Sequence, residues 1–155
     1  MQILSDQHTV SLDQIRSPVS DDLTALNKLI CNELISDIPL IQAITQHIIN
    51  SGGKRLRPLL VILSARAMGY QKDNEHLELA AIIEFVHTAT LLHDDVVDES
   101  KLRRGRNTAN AIWGNQASVL VGDFLYSRAF QLLAKRSNVA VMKVLADTTN
   151  AIAEG

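Results

Sequence analysis

The chain is expected to be all-α. Aromatic residues make up only 4% of its 155 residues while Leu, Ile and Ala abound, a balance that favours helix-on-helix packing over a sheet. From about residue 20 onwards, apolar residues recur at helical spacing. No stretch alternates as a half-buried strand would, and no internal repeat or low-complexity tract occurs.

Residues 1–19 mix polar groups with scattered aliphatics and read as a flexible N-terminal tail, leaving residues 20–155 as the helical domain. Ser20 before Asp21 and Asp22 suits a helix cap with acids in the first turn, followed by Leu23, Leu26, Leu29, Ile30 and Leu34. Pro39 suits the first turn of a second helix, whose stripe is Leu40, Ile41, Ile44, Ile48 and Ile49 and whose stop is Gly52-Gly53. Leu59 to Met68 predicts a buried helix ending at Gly69. Asn74 is placed to cap a long helix running to about Asp98. Polar residues and glycine break the pattern from Ser100 to Asn107, and a short helix is expected over Thr108 to Trp113. A longer one follows from Ala117 to about Lys135, with Leu120, Val121, Phe124, Leu125, Phe130 and Leu133 as candidate core. The last helix starts near Asn138.

Fifteen basic against 17 acidic residues give a net charge of -2, which offers no bulk attraction to nucleic acid or anionic membrane. The single cysteine, Cys31, excludes an internal disulfide, and the N-terminus lacks a basic start followed by an apolar run. A reducing, cytoplasmic setting is the expectation. No apolar run approaches the roughly 20 residues of a membrane-spanning helix.

Two stretches carry chemistry. In the first, an apolar helix runs into Asp94, Asp95 and Asp98 and then Lys101, Arg103 and Arg104. Residues four apart share a helix face, so Asp94 and Asp98 point the same way, with His87 two turns before Asp94 on nearly the same side. Clustered acids at the end of an apolar helix repel one another unless a cation compensates. Such carboxylates suit Mg²⁺, which binds through one or two acids plus substrate phosphates, while arginines take the phosphate oxygens. A calcium loop of the EF-hand kind lacks its glycine and terminal glutamate, and a zinc site lacks soft ligands. His93 and Asp123 read as structural. The second stretch, Gly52-Gly53-Lys54-Arg55-Leu56-Arg57-Pro58, places three cations after a permissive turn and before a helix, a plausible anion site or a solvated basic loop. Ala89 and Thr90 are small residues about 6–8 Å deeper along the helix than Asp94, leaving room for a long apolar tail if that face points inward.

Gly52 to Pro58, Glu84 to Ser100 and Leu120-Val121-Gly122-Asp123-Phe124 together resemble the trans-isoprenyl (polyprenyl) diphosphate synthases, from about residue 20 to the end of the chain. The resemblance implies the N-terminal part of an all-α isoprenoid-synthase bundle. It also implies Mg²⁺-dependent condensation of isopentenyl diphosphate with an allylic diphosphate such as farnesyl diphosphate, giving a polyprenyl diphosphate such as a quinone side-chain precursor. By matching motif, Lys54, Arg57, His87 and Arg104 bind isopentenyl diphosphate. Asp94 and Asp98 bind Mg²⁺ with Asp95 in support, and Arg103 holds the allylic diphosphate. Ala89 and Thr90 then fall in the chain-length region, where small residues resemble long-chain members. Members of the family usually form homodimers.

One departure stands out. The family's second aspartate-rich motif has no counterpart here, since only isolated Asp123 and Asp147 follow Asp98. The expectation is therefore an N-terminal portion with little or no prenyltransferase activity in isolation. A non-catalytic helical partner of a complete synthase subunit is the alternative. A metal-dependent phosphohydrolase on a helical bundle is a third reading, for which further His or Asp ligands are missing.

Overall fold

The computed structural model describes residues 10–51, 53–71 and 73–154. The elements run α1 (Leu12–Arg16), a 3-10 turn (Ser17–Val19), α2 (Ser20–Glu33), α3 (Pro39–Ser51), α4 (Leu56–Ala67) and α5 (Glu75–Val97). They continue through strands β1 (Leu102–Arg103) and β2 (Arg106–Asn107) to α6 (Ala109–Trp113), α7 (Asn115–Arg136) and α8 (Val139–Glu154). The all-α expectation holds, with one two-stranded hairpin as its single addition among the described residues.

The first correction falls on the tail. Residues 12–19 are helical, not loose, and Val19 is buried, while the beginning of the expected tail lies outside the described residues. Ser11 caps α1 in a reciprocal box: its hydroxyl accepts from the Gln14 N–H at 3.2 Å, and its own N–H donates to Gln14 Oε1 at 2.8 Å. Pro18 sits at the start of the 3-10 turn, where its fixed φ is already helical. The chain thus enters α2 without a break, so Ser20 is a helical residue rather than a cap. Its carbonyl accepts from Thr24 Oγ1. At α5 the capping oxygen comes from Asp73 (2.8 Å to the Glu75 N–H) and not from Asn74.

α5 is the central element and packs against α2, α4 and α7. Ala80, Ala81 and Ala89 are fully buried along it, and their small side chains let neighbouring helices approach closely. Leu26 and Ile30 of α2, Leu59 and Ile62 of α4, Phe85 of α5 and Val121, Leu125 and Leu132 of α7 fill the space between. Each such large side chain contributes about 1.5–3 kcal/mol on burial. The Ser118 hydroxyl, fully buried on α7, donates to the Leu92 carbonyl of α5 at 3.0 Å and pins the two helices in register.

Two expected core residues of α7 are exposed: Leu120 at 49% and Phe130 at 57%. The buried stripe of α7 runs through Ala117, Val121, Leu125, Ala129 and Leu132, and both residues lie off it. Leu56 and Leu60 of α4 and Met68 at its C-cap are likewise exposed, so that helix is buried on one side only. No described helix is long and apolar enough to cross a membrane.

Candidate functional site

α5 ends in a built stop. Glu99 takes a left-handed conformation (φ 51°), and the Ser100 N–H returns to the Asp95 carbonyl at 2.9 Å. Asn110 on α6 donates from Nδ2 to the carbonyls of both Asp95 and Ser100 at 3.0 Å, and Thr108 Oγ1 donates to Ser100 at 2.8 Å. These contacts orient the three aspartates. Asp94 and Asp98 are exposed, whereas Asp95 is buried at 4%. There it meets Arg103, whose Nη2 and Nε donate to Asp95 Oδ1 at 2.7 and 3.0 Å.

Arg103 reaches back because β1 and β2 close a tight hairpin. Leu102 faces Asn107 and Arg103 faces Arg106 in the ladder, while Arg104 (φ 52°) and Gly105 (φ 76°) form the turn. Positive φ at both turn residues is the requirement of a type I′ hairpin, which glycine meets without strain. The hairpin then docks on the end of α3: Arg106 donates to the Asn50 carbonyl at 2.8 Å, and His47 Nε2 contacts the Asn107 carbonyl at 3.1 Å. Arg104 lies against the basic loop, its Nη1 2.6 Å from where a Cβ on Gly53 would stand. Arg16 of α1 holds the Lys54 carbonyl of the same loop.

These elements enclose a cavity of about 550 Å³. Lys54, Arg55, Arg57, Arg103 and Arg104 bring cations to it, and Ile30, Leu34, Ile48, Phe85, Leu92 and Leu125 line it with apolar surface. His87 projects into it from α5, and its Nε2 accepts from Arg57 Nη1 at 3.0 Å, which leaves the ring hydrogen on Nδ1. Burial pushes this imidazole below its ordinary value; Arg57, Arg104 and Arg103 add to the effect and Asp94 opposes it. With Nε2 accepting from Arg57, Nδ1 is the ring's donor. Among the described residues, no group of three or more His, Cys, Asp and Glu side chains gathers as a metal site. Asp94 and Asp98 both stand exposed at the helix end, and two carboxylates are the number Mg²⁺ commonly takes from protein when phosphate and water complete its shell.

Of the residues singled out in the sequence, Lys54, Arg57, His87, Arg103, Arg104 and Asp95 meet at this cavity. Gly52 lies outside the described residues. Asp94 and Asp98 are not on the cavity wall; at roughly 100° per residue they share the His87 side of α5 but stand about two and three turns further along it. Ala89 is fully buried and Thr90 half-buried, its hydroxyl on the His87 carbonyl at 2.8 Å; Thr88 and Leu91 line the cavity in their place. Glu84 and His47 were not singled out as site residues, yet both line it, as does Arg55, the third cation of the basic stretch. Glu84 lies one turn before His87, a spacing that could have flagged it.

His93, expected to be structural, packs into α7. A Cβ on Gly122 would stand 2.2 Å from His93 Nε2, and that nitrogen lies 3.4 Å from the Val119 carbonyl and 3.4 Å from Asp123 Oδ1. Glycine at this point is a notch for the imidazole ring.

The sequence matches a family model described as polyprenyl synthetase over residues 38–155. The chain belongs to the polyprenyl synthetase family. It is 50% identical to the octaprenyl diphosphate synthase of Escherichia coli K12 over 94% of its own length and 45% of that protein's. It is 49% identical to the Haemophilus influenzae octaprenyl diphosphate synthase, covering 98% of this chain and 46% of that one. Its fold superposes on a decaprenyl diphosphate synthase from Rhodobacter capsulatus with a TM-score of 0.88 at 50% identity, over 93% of this chain and 44% of that one. A polyprenyl synthase from Caulobacter crescentus, crystallised with calcium and isoprenyl diphosphate, also gives 0.88, at 46% identity and with the same coverage. The chain spans less than half the length of these polyprenyl synthetases.

Proposed function

We propose that this chain supplies the isopentenyl diphosphate pocket and the first aspartate motif of a Mg²⁺-dependent trans-polyprenyl diphosphate synthase. The single observation that carries this reading is the cavity: a cationic mouth from three separate elements, continuous with an apolar interior and adjoining two exposed aspartates. Lys54, Arg57 and Arg104 bind the diphosphate of isopentenyl diphosphate as charge-assisted donors, with His87 as a neutral one. Arg103, fixed by Asp95, faces the allylic diphosphate. Asp94 and Asp98 are the residues that hold Mg²⁺, which supplies positive charge for the departing diphosphate. Phe85, Leu91 and Leu92 keep water from the allylic cation while the homoallylic double bond attacks and a proton leaves. Ala89 and Thr90, one buried and the other half-buried and neither on this cavity, are read as the chain-length region on the side of α5 that leads to Asp94. The same reading carries an allylic substrate such as farnesyl diphosphate, a long-chain product, a cytoplasmic setting and a homodimer.

Calorimetric titration of the chain with inorganic diphosphate tests it, with and without Mg²⁺. Arg57→Ala and Lys54→Ala should each weaken metal-free binding on the order of tenfold or more. Asp94→Asn with Asp98→Asn should remove only the Mg²⁺-dependent increment. Metal-free binding untouched by both cation variants would sink the proposal. Restoring elongation to a synthase subunit that lacks its own first aspartate motif separates a catalytic contribution from a silent helical partner.

A further inference from the structure

A carboxylate sits among the cations of the anion cavity. Glu84, half-buried on α5, lines the same wall as His87 one turn away. Arg55 and Arg57, from the basic loop and the first turn of α4, and Arg104 from the hairpin all act on it electrostatically. Lys54, Arg103, His87, His47 and Asp95 complete the titratable or charged lining. A negative charge here disfavours the diphosphate that the cavity is built to receive, so its presence calls for a reason.

Guanidinium groups gathered around an empty cavity repel one another, and a carboxylate facing them offsets that repulsion. A diphosphate brings at least two negative charges to the same cations and makes the carboxylate redundant. The Glu84 carboxylate then faces an anion in a partly desolvated place, and its cheapest response is to become neutral.

We propose that diphosphate binding in this cavity is coupled to protonation of Glu84, which serves as the counter-charge of the arginine cluster while the cavity is empty. The proton comes from solvent, no covalent bond to the ligand forms, and the protonated carboxyl becomes a hydrogen-bond donor beside the phosphate oxygens. Burial already pushes this carboxyl above its ordinary value, against the pull of Arg55, Arg57 and Arg104, which is the direction that binding of an anion extends. Glu84 is a positioning residue: it sets the state of the cations that hold the ligand. The inference rests on the assignment of the cavity as a diphosphate site.

The test measures inorganic diphosphate affinity without metal, for wild type and Glu84→Gln, from about pH 5 to about pH 8.5. The ligand's own ionisation is common to both proteins and cancels in their ratio. The affinity of E84Q relative to wild type should be near one at the acid end and climb with pH, about tenfold for each unit by which binding raises the Glu84 pKa. Glu84→Ala should follow the same trend if the glutamine variant fails to fold, and Glu84→Asp should track wild type. A ratio that does not change with pH, or E84Q weaker throughout, overturns the inference while leaving the cavity assignment intact. If wild type binds no diphosphate, or Arg57→Ala binds as tightly as wild type, the cavity assignment itself falls and this inference with it.

Discussion

Gly53 and Arg104, fifty-one positions apart, fit together at the mouth of the cavity: the guanidinium Nη1 occupies the space 2.6 Å from where a Gly53 Cβ would be. A glycine in the basic loop is thus the seat of an arginine from the hairpin. Gly53→Ala pushes the tip of a flexible side chain and leaves the core alone. Its cost should fall on binding: diphosphate affinity drops on the order of tenfold with Tm shifted by about a degree or less, read by calorimetry beside a thermal melt.

The pairing of Arg103 with buried Asp95 should behave in the opposite way. Arg103→Ala leaves a nearly inaccessible carboxylate without its two donors at 2.7 and 3.0 Å. Arg103 is itself 39% exposed, which screens part of the loss, so the expected destabilisation is about 2 kcal/mol in urea unfolding. Asp95→Asn combined with Arg103→Ala should recover part of it, because no buried charge then remains.

His93 and Gly122 predict non-additivity. Gly122→Ala adds a methyl group 2.2 Å from the ring nitrogen and forces the imidazole out of its notch, although alanine is the better helix former by about 1 kcal/mol. His93→Ala removes the obstacle. A double-mutant cycle should show a coupling of about 1 kcal/mol or more, with His93→Ala making Gly122→Ala tolerable. Simple additivity would place the ring elsewhere in solution.

On the far side of the bundle, Arg66 donates to both oxygens of Asp22 at 2.6 and 2.7 Å, joining α4 to α2. Arg66 holds the Asp22 carboxyl below its ordinary 3.8, against the effect of burial and with help from His76. A depressed carboxyl stabilises the fold above its unfolded value and loses that contribution as pH falls through the lower folded value. Arg66→Met should therefore show a shallower loss of stability below about pH 4 than wild type, in acid titration followed by circular dichroism.

Much of this was legible in the chain. The long apolar run before Asp94 reads as one long helix, and α5 is that helix. The basic heptapeptide and the aspartate string carried their chemistry in composition and spacing alone. Less legible were the partners. Periodicity assigns a face but not what lies opposite, so Glu84 and His47 looked like ordinary residues until α3, α4 and the hairpin closed around them. Leu120 and Phe130 looked like core for the same reason. Ser20 before two acids looks like a cap, but the ring of Pro18 fixes a helical φ and the 3-10 turn Ser17–Val19 leads straight into α2.

What the sequence by itself determined was the local physics: which segments are helical, where charge is concentrated, and that Asp94 and Asp98 share a face two turns beyond His87. Tertiary structure alone decided which charges meet. Asp95 turns inward to Arg103 because Asn110 and Thr108 fix the end of α5, and Arg104 reaches Gly53 because a two-residue turn reverses the chain. Such contacts join residues up to fifty positions apart or more, and they depend on the relative placement of whole helices, which packing of the shared core sets and no local spacing encodes.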